Sequence, residues 1–158
     1  RLDVLAEYLM NEKEASELNQ IGFYARLCSL FIKQEYESAL TISEQINHKN
    51  ILIPMRKILL KIQAHFGNLS EMFSVLELLI TPAPEYLPQF AIVAGLLGKT
   101  DLAMEAFQKA VLDAPTDEFI MRQAWQWAKT NQNTMLIDWL TEYMQKIMPE
   151  LFTQLIIT

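Results

Sequence analysis

One cysteine, Cys28, and four glycines are all that the 158 residues hold of two residue types that shape many small folds. A lone thiol cannot close an internal disulfide, and without cysteine pairs there is no thiolate zinc site of the usual spacing. So few glycines exclude a protein of many strands and tight turns. Long apolar runs are missing too: no stretch of about 18 residues is apolar and free of charge, so no membrane insertion is expected. Positive charge is the minority, with 13 Lys and Arg against 19 Asp and Glu and a formal net charge of −6. That balance works against long-range attraction to phosphate backbones or anionic lipids, and no nucleic-acid partner is expected. The two histidines, His48 and His65, lack any HExxH-like spacing, so neither metal nor cofactor is implied. The chain begins at Arg1, with no methionine and no secretory-type apolar segment, and reads as a piece of a longer protein whose compartment stays open.

What is present favours helix. A hydrophobic share of 51% with 20% charge is that of a globular chain. Leu, Ala, Glu, Lys, Gln and Met, all good helix formers, dominate it. Val75, Leu76, Leu79 and Ile80 recur at spacings of three and four, as do Leu102, Ala103, Ala106, Phe107 and Ala110. Short polar or Gly/Pro stretches interrupt this pattern at residues 33–35, 47–50, 67–70, 81–85, 98–101, 114–117 and 131–133. The segments between them run to roughly 11–17 residues, too short to be stable alone, so each must bury a face against neighbours.

Turns centred near Gln34, Gly67, Gly98 and Asn131 lie 33, 31 and 33 residues apart. A helix–turn–helix unit repeated at such a period is the mark of an α-solenoid, in which no unit can bury its own apolar face. The expectation is an all-α chain of about 8–10 helices, with units at 20–52, 53–83, 84–116 and 117–149 and flanking helices at 1–19 and 150–158.

The third unit carries "LLGKTDLAMEAFQKAVLDAP", with Gly98 at the turn, Ala103 and Ala110 at small positions of the second helix, Phe107 between them and Pro115 closing it. Ala91 holds the small position of the first helix. This unit resembles a tetratricopeptide repeat. Tyr36 and Ala39 fit the same frame in the first unit, Gly67, Leu69 and Pro84 in the second, and Ala124 in the fourth. Leu27, Leu60, Met72 and Leu136 replace small residues there. The resemblance spans residues 19–149 and implies a right-handed stack of helical pairs.

Gly98-Lys99-Thr100 also matches the end of a phosphate-binding loop, but the first glycine of that motif would fall at Val93, and the loop would have to leave a strand. Thr100 or Asp101 is expected to cap the next helix instead. Cys28, among Leu27, Leu30 and Phe31, reads as an inert packing thiol rather than a nucleophile paired with His48 or His65. Acidic residues such as Glu12, Glu14, Glu71 and Glu105 are scattered singly, and Asn68-Leu69-Ser70 reads as a turn. No catalytic constellation emerges, and the chain is not expected to be an enzyme.

In solenoids of this resemblance the first helix of each unit lines a groove. The implied lining is Tyr24, Cys28 and Phe31, then Lys57, Lys61 and His65, then Gln89 and Ile92, and last Arg122, Trp125 and Lys129. Trp125 and Trp127, two residues apart, cannot share a helix face, and the resemblance implies that Trp127 lies between helices and Trp125 toward a partner. A cationic, aromatic lining suits an acidic protein or peptide segment. The family's carboxylate clamp does not transfer, since Glu118 stands at a position where it needs a cation. Apolar Leu155, Ile156 and Ile157 at one end, with Leu2, Leu5 and Leu9 at the other, point to the alternative: an assembly element or homodimer using its ends.

Overall fold

The computed structural model describes residues 2–11, 17–46 and 51–157. Within them every regular element is helical, as the composition requires. Ten α-helices follow in order: α1 (Leu2–Met10), α2 (Glu17–Ile32), α3 (Tyr36–Ser43), α4 (Ile53–His65), α5 (Leu69–Leu79), α6 (Leu87–Leu96), α7 (Thr100–Asp113), α8 (Glu118–Thr130), α9 (Thr134–Ile147) and α10 (Pro149–Ile157). None of the described helices is long and apolar enough to cross a membrane. The break expected at 47–50, with His48, lies outside the described residues, as do Glu12 and Glu14.

Four turns join helices in pairs, and all four have the same backbone. A left-handed residue sits at Gln34, Gly67, Gly98 and Gln132, with φ of 61°, 66°, 78° and 51°. The next amide reaches back five residues each time: Glu35 to Leu30 O, Asn68 to Gln63 O, Lys99 to Ala94 O and Asn133 to Ala128 O, at 2.8 to 3.0 Å. The left-handed residue's own amide bonds three residues back. This is the Schellman arrangement, which satisfies carbonyls that a helix end leaves open. The residue after it is the N-cap of the following helix. At α7 that residue is Lys99, which makes no side-chain cap bond, so Thr100 and Asp101 already stand inside the helix and the expected cap is corrected. Asp117 and Asn133 do cap, accepting from Ile120 N at 3.1 Å and Leu136 N at 2.9 Å.

The chain divides into two compact units, one reaching Pro82 and one beginning at Ala83. In the N-terminal unit α1 packs on α2, α2 pairs with α3, α4 packs on both, and α5 pairs with α4. Leu27, Leu30, Ala39, Met55, Ile62, Leu76 and Leu79 fill its core. Two buried amides tie elements together: Asn19 Nδ2 donates to Met10 O at 2.8 Å, and Gln20 Oε1 accepts from Leu52 N at 2.8 Å, where α4 begins.

In the C-terminal unit α6 pairs with α7, α8 packs on both, and α9 joins α8 to α10. Small residues let these helices approach: Ala91, Ala94, Ala103, Ala124 and Ala128 are fully buried. Gly95 leaves room for Trp127, whose ring lies 3.0 Å from where a Cβ would stand. Phe107, also fully buried, meets the same indole at a centroid distance of 5.4 Å. Around these alanines the core of the unit is filled by Leu87, Phe90, Val111, Met121, Leu136, Leu140, Met144 and Leu151.

Candidate functional site

The C-terminal unit holds a groove of about 1230 Å³ between α8 and α10. Asp117 fixes the start of α8, and from there Phe119, Arg122, Gln126 and Lys129 recur at three and four residues, forming one stripe along the groove. The opposite wall is Phe152, Leu155 and Ile156 of α10, again at helical spacing. Ile92 of α6 and Thr141 of α9 complete it, with Trp125 and Trp127.

Apolar surface is open on both walls: Phe119 is 69% exposed and Ile156 56%. Arg122 bridges the walls, its Nη2 donating to Gln154 Oε1 at 3.1 Å while Glu118 lies 3.7 Å away one turn back on α8. Lys129 Nζ stands 5.7 Å from the Trp125 ring centroid, within cation–π range. Among the described residues that line the groove there is no Asp or Glu, so its polar wall presents two cations and amides within a chain of net charge −6. Such a surface can desolvate apolar side chains and accept carboxylates beside them.

Of the residues expected to line a groove, Ile92, Arg122, Trp125 and Lys129 come together here. Trp125 is only 9% exposed and so offers the groove a small part of its surface, while Trp127 is the ring held between Gly95 and Phe107. Gln89 is half-buried on α6 and does not line the groove.

The remaining residues belong to the N-terminal unit. Tyr24 is exposed, and the Cys28 side chain one turn on, foremost through a hydrogen bond, raises its pKa above the ordinary value, with a smaller effect of burial in the same direction. Phe31 meets Tyr36 edge-on at 5.3 Å, Tyr36 stacks on His65 at 3.7 Å, and His65 meets Phe66 edge-on at 5.1 Å. This row of four rings engages two side chains expected to face a partner. Lys57 is half-buried and Lys61 exposed, both on α4.

Sequence reasoning passed over Phe119, Gln126 and Phe152. The signal for the first two was available, because the stripe from Phe119 to Lys129 runs at 3-4-3 spacing. In the sequence, Leu155 and Ile156 of α10 read as an apolar end needing cover. Among the described residues no group of three or more His, Cys, Asp or Glu is arranged to hold a metal ion. No protein-family model, curated protein or solved structure matches the chain.

Proposed function

We propose that the chain is a non-catalytic binding module, a right-handed tetratricopeptide-like helical repeat that holds a peptide or protein segment against α8 and α10. The observation that carries this reading is the groove itself: open, about 1230 Å³, with exposed Phe119 and Ile156 on opposite walls and Arg122 and Lys129 alongside. Small-molecule pockets run to about 300–1000 Å³ and bury most of their ligand. An open trough larger than that suits a polymer. Its walls are helices that need no reordering to bind, which keeps the cost of association low. The four identical turns and the buried Ala91, Ala103 and Ala110 support the repeat reading.

The test is selection of a displayed library of random 16-residue peptides on the full chain, followed by affinity measurement with Phe119→Glu. Selected peptides are expected to lose at least about tenfold in affinity for that variant, as truncated interface anchors do. Failure to enrich any peptide, or equal affinity for the variant, would remove the groove from the account.

A second reading rests on α1 and α2, where Val4, Leu5, Tyr8, Leu18 and Ile21 are all about half exposed or more. An apolar face of that kind suits an assembly element. Light scattering across concentration tests it, and a monomer throughout would dispose of self-association.

A further inference from the structure

We infer that the segment taken by the groove is an acidic amphipathic α-helix, laid along α8 with its apolar face on Phe152, Leu155 and Ile156 and its carboxylates at Arg122 and Lys129; this rests on the binding reading above. The first support is spacing. Phe119, Arg122, Gln126 and Lys129 follow the 3-4-3 interval by which one helix meets another along a seam. Seam positions are ordinarily apolar, yet three of these four carry donors; Gln126 Nε2 already donates to Thr130 Oγ1 and Arg122 Nη2 to Gln154 Oε1, and a partner that brings carboxylates complements the charge of Arg122 and Lys129. Arg122 and Lys129 are seven residues apart, about 10 Å along the axis at 1.5 Å per residue. A partner helix repeats that distance with carboxylates at i and i+7 on one face.

The second support is the polarity of the lining. Ile92, Trp125, Phe152, Leu155 and Ile156 form the apolar part of the groove, beside the polar stripe of Arg122, Gln126 and Lys129. An extended peptide would bring unpaired N–H and C=O groups into that surface, and no strand edge exists among the described residues to pair them. A helix satisfies its own backbone.

The third is charge. The described residues lining the groove include two cations and no carboxylate, with Glu118 next to Arg122 outside the lining, whereas the whole chain carries −6. At physiological salt the screening length is about 8 Å, so distant repulsion fades while contacts inside the groove persist. Glu118 already attends Arg122, but at 3.7 Å with both side chains about half exposed or more. A pair that open holds weakly, and a partner carboxylate can displace it.

The probe is the set of 16-residue peptides enriched on the full chain, synthesised with a fluorophore and measured by anisotropy. They are expected to be acidic, to show apolar residues at three- and four-residue intervals, and to gain helical circular dichroism on binding. A proline at the centre should weaken them at least tenfold. Protein carrying Arg122→Glu and Lys129→Glu should weaken them at least tenfold as well. That variant should bind a Glu-to-Lys version of the peptide better than the wild type does, a reversal that unfolding cannot produce. Enriched peptides that tolerate the proline, or neutral and basic peptides that bind equally well, overturn the acidic helix; if they still fail on Phe119→Glu, the groove reading survives. Peptides indifferent to Phe119→Glu sink both. A dimer of the chain that Phe119→Glu dissociates also overturns the inference, by making a second copy the occupant.

Discussion

Gly22 has no space for a methyl group. A Cβ built there would stand 2.6 Å from Met10 N and 2.7 Å from Leu9 Cβ, and the first of these is backbone that cannot swing aside. Gly22→Ala must therefore lift α1 from α2, and a loss of roughly 1–3 kcal/mol, the usual cost of overpacking, is expected in thermal or denaturant unfolding. An unchanged midpoint would mean that α1 does not lie against α2 as described. Gln34 and Gln132 present the opposite case, since both are side-chain-bearing residues held left-handed. Relieving about 1–2 kcal/mol of steric strain, less glycine's entropy cost of about 0.5–1 kcal/mol, gives an expected gain of up to about 1.5 kcal/mol for Gln34→Gly or Gln132→Gly. A midpoint that falls instead would place those residues outside the left-handed region. These two turns also mark what could be read beforehand. Gly67 and Gly98 announce a left-handed C-terminal residue by their type, but glutamine does not, and the break near Asn131 was legible without the conformation of Gln132. That conformation is imposed by the amide of Asn133 returning to Ala128 O and by helices packed on either side.

At the scale of an element, α1 is tied to α2 by one carboxylate. Asp3 accepts from Ser29 Oγ at 2.9 Å, from Lys33 Nζ at 3.1 Å and from Arg26 at 3.5 Å. The Ser29 hydrogen bond foremost, then Lys33, holds its pKa below the ordinary 3.8, against a smaller opposing effect of burial. A carboxyl with a depressed folded pKa contributes stability that is complete above its unfolded value and lost as pH falls through the folded one. Wild type should therefore exceed Asp3→Asn in stability by a constant margin at neutral pH, and the margin should narrow only as pH drops below 3.8. Amide exchange of α1 followed in both proteins checks this; a margin that already closes at pH 6 would assign the effect to another group. This tie was not legible in the sequence, because Asp3 and Ser29 are 26 residues apart and nothing local brings them together. The same holds for the ring row, where Tyr36 of α3 takes Phe31 and His65 as neighbours across three helices. The stripe on α8 was the reverse, a purely local pattern obscured because Arg, Gln and Lys occupy positions normally recognised by apolar residues.

For the molecule as a whole, the division after Pro82 carries a functional consequence. Every residue lining the α8–α10 groove belongs to α6, α8, α9, α10 or the turn after α8, all within the unit that begins at Ala83. That unit has its own buried core, from Leu87, Ala91 and Phe107 through Met121 and Leu136 to Met144 and Leu151. Domains of about 55–65 residues can fold alone, and this one is longer. Protein beginning at Ala83 is therefore expected to melt cooperatively, to retain its helical circular dichroism, and to bind the selected peptides within about threefold of the full chain, since it keeps every contact that the site requires. An unfolded fragment would show that the C-terminal core depends on residues before Ala83. A folded fragment with lost affinity would move the site toward the N-terminal unit, where Lys57 and Lys61 are the cations that the repeat frame assigns to a partner. Retained affinity together with a wild-type response to Lys57→Glu in the full chain would confine recognition to α8 and α10, because a cation that contributes to holding an acidic segment cannot be reversed in sign without weakening it.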